Sequence, residues 1–199
     1  MISVMVKYVP PRVERAEGAP KGKGKAMSQA GTIIREEGEG ERLWFAGGGL
    51  WTMKATAEET DGAFILVEDR MSLGKMTPLH THPNQDETLI VLEGEILLYA
   101  EGREHRVGPR GVAVALRGAP HAFMVTSESA LILTLQTPGS GEAFYRDASE
   151  PSTDDTDAGR PPDLDRLRGA DQRHPDTIQM LGPPPFEAAR EEAAARAKA

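Results

Sequence analysis

From Leu43 to about Thr137 the chain alternates short β-branched or aliphatic runs with Gly, Pro and Asp-Gly punctuation. That close spacing predicts an all-β sandwich or barrel. Strands are expected over residues 49–56, 63–71, 76–80, 87–92, 95–100, 105–107, 112–116, 121–125 and 130–136. Asp61-Gly62, Glu93-Gly94, Glu101-Gly102 and Gly108-Pro109 mark the turns between them. After Pro138 the composition changes. Residues 147–160 are rich in Ser, Thr and Asp and read as a solvated linker. Asp163 can cap a short helix over 164–172 with Leu164 and Leu167 on one face. The run Pro183 to Pro185 stops anything before it, and residues 187–199, rich in Ala, Glu and Arg, have helical propensity without an apolar stripe. The expected organisation is a disordered or extended leader over 1–40, a barrel over 41–146, and a linker with a partly helical tail over 147–199.

A chain of 199 residues suits one domain plus tails. The formal charge of −8 is unevenly spread, because residues 1–26 carry six Lys/Arg against two Glu. The acidic remainder is expected to repel nucleic acid and anionic membranes. Within the leader, Ala19 to Lys25 has too little apolar surface to offset the entropy of ordering it. Met27-Ser28-Gln29-Ala30 would make a natural start, so residues 1–26 are read as an upstream start-site artefact. The first nine residues hold Lys7 and close on Pro10-Pro11, too short for a signal-peptide core, and no stretch reaches transmembrane length. A cytoplasmic address with no membrane partner is the expectation.

The chemistry concentrates between Gly74 and Gly94. In an extended chain residues i and i+2 point the same way, so His80 and His82 can present both imidazoles to one point inside a barrel. A turn over residues 83–86 can fold Glu87 back beside them, giving three ligands from one hairpin, and Gly94 suits the tight turn that follows. A fourth ligand, His121, enters an apolar strand after the turn at 116–120. The chain has no cysteine, so a metal must be held by nitrogen and oxygen. Three imidazoles and one carboxylate suit one divalent transition ion (Fe, Mn, Ni, Co, Cu or Zn) rather than Ca or Mg. Each residue also has a plainer reading: ordinary strand histidines for His80 and His82, a surface carboxylate for Glu87, and a hydrogen-bonded core histidine for His121. His105 and His174 read as solvated surface, Glu68 and Asp69 as solvated strand edge, and residues such as Leu66, Ile90, Leu92 and Phe123 as core.

The first segment matches, at every position, the motif Gly-x5-His-x-His-x4-Glu-x6-Gly of the cupin superfamily, in Gly74, His80, His82, Glu87 and Gly94. The second cupin motif is partly met: Gly118 and His121 match, Leu116 stands for its Pro, Val125 for its Asn, and Gly111 lies one place late. Residues 50–145 resemble this family. With Glu58 to Phe64 and Leu181 to Pro185 they are similar to single-domain bacterial cupins grouped with quercetin (flavonol) dioxygenases. The resemblance implies a double-stranded β-helix, a jelly-roll-like barrel, with His80, His82, Glu87 and His121 as ligands to one metal ion. It further implies a homodimer and a metal-dependent dioxygenase acting on a flavonol-like or other phenolic or enolisable small molecule, with Glu87 as the base. A non-redox isomerase, cyclase or lyase, or a non-catalytic small-molecule-binding cupin, are the alternatives.

Overall fold

A computed structural model describes residues 31–186, together with 191 and 195. The start-site reading of residues 1–26 and nearly all of the helix expected over 187–199 lie outside the described residues.

Ten strands come first: β1 Glu41–Phe45, β2 Leu50–Ala55, β3 Ile65–Ser72, β4 Leu79–Thr81, β5 Asp86–Glu93, β6 Ile96–Ala100, β7 Arg103–Val107, β8 Val112–Ala115, β9 His121–Val125 and β10 Ser129–Thr137. After them come helix α1 Glu142–Asp147, strand β11 Ser149–Pro151, helix α2 Leu164–Arg173 and strand β12 Gln179–Gly182. Two antiparallel sheets result, one ordered β11-β1-β2-β3-β10-β5-β8 and the other β12-β4-β9-β6-β7. The molecule is thus all-β, a double-stranded β-helix with a short helical element near the C-terminal end.

The sequence enforces this through period-two alternation. In β3, Ile65, Val67, Asp69 and Met71 are buried while their neighbours are partly exposed. In β5, Glu87, Leu89 and Val91 turn inward and Leu92, expected in the core, faces out at 39% exposure. The nine expected strands correspond to β2–β10 with ends displaced by three residues or fewer. At the end of β5, Gly94 takes φ +75°, and a Cβ there would stand 2.1 Å from Ser129 O. Only glycine lets the β5–β6 turn pass so close to β10.

Two expectations need correction. β4 and β5 do not form a hairpin: β4 pairs with β9 and β12, whereas β5 lies between β10 and β8 in the other sheet. The link between them crosses from sheet to sheet, and Gln85 Nε2 and Asn84 Nδ2 pin it by donating to Ser140 Oγ at 2.8 Å and Asp176 O at 3.1 Å. The stretch after residue 146 is not merely solvated linker and tail. β11 extends one sheet by pairing with β1, and β12 extends the other by pairing with β4. Between them α2 is capped by Asp163, whose carboxylate accepts from Arg166 N at 3.0 Å, and buries Leu167 and Ala170 in the core around Trp44 and Phe144. Phe186 is fully buried against Ala122 and Met124. Apolar contact, rather than strand propensity, holds this stretch in place.

Among the described residues, no helix is long and apolar enough to cross a membrane.

Candidate metal centre

Cross-strand register assembles the site. His80 of β4 lies opposite His121 of β9 in one sheet, and Glu87 of β5 lies opposite Gln136 of β10 in the other. His82 follows directly on β4. The four side chains expected as ligands therefore converge between the two sheets, each at most 7% exposed, with one candidate ligand atom from each within 4.8 Å of all the others. His105 stays exposed on β7, as expected. His174 stands apart at the end of α2 and pairs with Asp147 at 3.1 Å.

The hydrogen bonds select which histidine nitrogens face inward. His80 Nδ1 lies 2.8 Å from Pro78 O, His82 Nδ1 3.1 Å from Thr177 O, and His121 Nδ1 3.0 Å from Ala119 O. A carbonyl only accepts, so each Nδ1 carries the proton and each Nε2 is left to the centre. His82 Nε2 is buried with no hydrogen-bond partner among the described residues. Such an orphaned lone pair, aimed at a carboxylate and two further imidazoles, fits a metal ion.

Charge points the same way. Burial raises the Glu87 carboxyl pKa, but the neighbouring His82 imidazole and the hydrogen bond from His121 outweigh it and hold the group well below the usual carboxylate range. Glu87 Oε2 lies 3.0 Å from His121 Nε2 and its Oε1 lies 3.6 Å from His82 Nε2. Burial pushes the His121 imidazole down, yet its hydrogen bond to Glu87 outweighs that and keeps its pKa above the usual value. His121 thus has an acceptor at each nitrogen and gathers positive charge beside Glu87, where a divalent ion would replace the proton. Burial, and next the charge on His121, drives His80 down to about 3. It stays neutral and can ligate.

Behind Glu87 stands a support that the motifs did not reveal. Gln136 Nε2 donates to Glu87 Oε1 at 3.0 Å and lies 2.5 Å from Tyr145 Oη. Burial, and then the charge of Glu87, hold the Tyr145 phenol well above its ordinary pKa. Gln136 was legible in principle, since it continues the inward series Ile132, Thr134 along β10. Tyr145 and Thr177 carry no comparable pattern.

A cavity of about 490 Å³ opens on His80, His82 and Glu87. One wall is aromatic: Phe45 stacks on Trp51 with ring centroids 4.8 Å apart, and Trp51 meets Tyr145 at 4.7 Å. Asp69 also faces this cavity, at 2% exposure. Its expected place on a solvated edge is wrong because it shares the inward face of β3 with Val67 and Met71. Burial raises the Asp69 carboxyl to about 6, against the pull of Lys75 and of the Trp51 indole N–H.

Residues 69–135 match the family model described as the Cupin domain. A quercetin 2,3-dioxygenase from Bacillus subtilis (strain 168) is 29% identical over 118 residues, which cover 59% of this chain and 35% of that protein. The chain thus matches only about a third of the length of this curated relative. An uncharacterized conserved protein with a double-stranded beta-helix domain from Klebsiella pneumoniae is 18% identical with a TM-score of 0.41, covering 54% of this chain and 84% of the other. The polyketide cyclase RemF from Streptomyces resistomycificus is 25% identical with a TM-score of 0.42, covering 53% and 70%.

Proposed function

We propose that this cupin-domain protein is a metal-dependent dioxygenase acting on a flavonol-like or other phenolic or enolisable small molecule, with His80, His82, Glu87 and His121 as the metal ligands. The observation that carries the reading is the joining of a buried three-histidine, one-carboxylate cluster to an aromatic-walled cavity of about 490 Å³, within the range that holds a planar polycyclic ligand. Sequence similarity to a quercetin 2,3-dioxygenase supports the same reading. When bound, a divalent transition ion would supply Lewis acidity toward a phenol or enol oxygen and redox chemistry toward dioxygen.

The chain's own part is orientation and proton transfer. Phe45, Trp51 and Tyr145 offer flat apolar surface to an aromatic ring and exclude water around it. Gln136 holds Glu87 through Oε1, and the carboxylate so oriented is the base for the phenol proton. Both atoms of dioxygen enter the organic product, so no external reductant is required.

The test is to load the protein separately with each candidate metal and add flavonols under labelled dioxygen. Oxygen uptake with two labelled atoms in the product is expected, and no uptake with any metal sinks the reading. The buried Asp69, an acid–base group that dioxygenation does not need, favours a second reading as a non-redox isomerase, cyclase or lyase. Full turnover with zinc would select it. A homodimer belongs to the proposal as well, supported by β8, a sheet edge that exposes Val112 and Val114 at 56% and 57%. Sedimentation at monomer mass would remove it. A cytoplasmic address is the remaining part, and cell fractionation tests it.

A further inference from the structure

Lys75 sits in the turn after β3, where its backbone is pinned on both sides: its N–H donates to Ser72 O at 3.1 Å and its carbonyl accepts from Val125 N at 2.8 Å. Its side chain is only 8% exposed and lines the same cavity as His80, His82 and Glu87. Asp69 Oδ2 is 3.9 Å from Nζ, an ion pair at the edge of contact, and the Phe123 ring centroid is 4.3 Å away. The ammonium makes no hydrogen bond among the described residues, so three strong donors face the cavity unused. A buried ammonium in that condition is costly, and the cost is relieved by an anionic oxygen.

Charge accounting says what kind of ligand brings that oxygen. With a divalent ion on the centre, as the proposed function holds, the carboxylates Glu87 and Asp69 are offset by the ion, and the Lys75 charge is the surplus. An anionic group on the ligand, set apart from its phenol or enol oxygen, would meet that charge.

We infer that Lys75 is a ligand-binding residue that recognises a carboxylate, and that the cavity takes planar aromatic acids carrying a phenol or enol at a separate position. Asp69 and Phe123 act as positioning residues that aim the ammonium. The inference rests on the metal reading but not on redox turnover, so it is tested with zinc-loaded protein in the absence of oxygen. The probes are para-hydroxycinnamate and its neutral amide, followed by calorimetry.

The acid is expected to bind about 10-fold or more tighter than the amide. Lys75→Met should bring that ratio near one, and Lys75→Arg should largely keep it. Because Lys75→Met strands a buried Asp69, the double variant Asp69→Asn/Lys75→Met supplies a neutral pair, and it too should show no preference. Equal binding of both probes to the unaltered protein, binding of neither, or a preference that survives in the Met variants overturns the inference. Failure of oxygen uptake with flavonols, beside an intact acid preference, removes the dioxygenase reading and leaves this one standing.

Discussion

Gln136→Leu isolates the support behind the centre. The leucine keeps the bulk of the amide but removes both of its donors, so Glu87 Oε1 loses its 3.0 Å hydrogen bond and Tyr145 Oη loses the amide beside it. The amide orientation follows from chemistry: Glu87 accepts only, so Nε2 must face it and Oε1 must face away. A hydrogen bond to a charged group contributes about 1.5–3 kcal/mol. Loss of a partner that orients a ligand costs about 10–100-fold in metal affinity. Titration against a competing chromophoric chelator should therefore show metal affinity falling by roughly that factor. Urea unfolding of the metal-free protein should show a loss of about 1–3 kcal/mol. Metal affinity unchanged within about twofold, in a variant that still folds, would refute the idea that Gln136 orients Glu87.

His82→Ala should abolish stoichiometric metal binding while the near-ultraviolet circular dichroism persists, a loss beyond the about 10–100-fold expected from an orienting partner; retained metal by elemental analysis would remove His82 from the ligand set. Gly94→Ala should destabilise by about 2 kcal/mol or more, because φ +75° is joined there by the 2.1 Å approach of Ser129 O. Gly118→Ala, at φ +79° with nothing within 4 Å, should cost about 1 kcal/mol, and equal costs at the two sites would show that the close approach is not felt. The Glu59 carboxyl is lowered to about 2, first by its hydrogen bond from Arg35, which lies 2.6 Å away, and then by the Thr56 N–H. A depressed carboxylate stabilises above its unfolded pKa and loses that contribution as pH falls through the folded value. Glu59→Gln should thus cost about 0.5–1 kcal/mol at pH 7, a figure reduced for solvent screening of a third-exposed pair. The gap should close between about pH 4.5 and pH 2, and a gap independent of pH in denaturant titrations would contradict the assignment.

The barrel was legible because β2 to β10 carry their own periodicity and turn residues, and His80, His82, Glu87 and Gly94 stand at fixed separations within one segment. What the sequence hid depends on pairing partners distant along the chain. β1 and β11 are held by pairing with each other and with β2 and by the core they share with α1 and α2, and β12 is held by pairing with β4. A Ser-Glu-Pro strand or a Gln-Met-Leu-Gly strand offers no local signal strong enough to be read alone. The hairpin expectation failed for a related reason: a short gap between His82 and Glu87 is compatible with a turn within a sheet or a crossing between sheets, and spacing does not distinguish them. Asp69 is different. Its alternation with Val67 and Met71 is visible in the sequence, and its charge argues against the buried position that the alternation implies.

The acceptor that sets the His82 tautomer is a main-chain oxygen, that of Thr177. Nearly every amino acid at that position supplies the same atom, so selection on the segment after α2 falls on its path and length rather than on its residue identities. Substitutions there can accumulate without disturbing His82, whereas a deletion of one or two residues moves the carbonyl away and frees the imidazole to turn. A feature of this kind leaves no trace in a residue profile, and the family match ends at residue 135 although part of the site lies 42 positions beyond it.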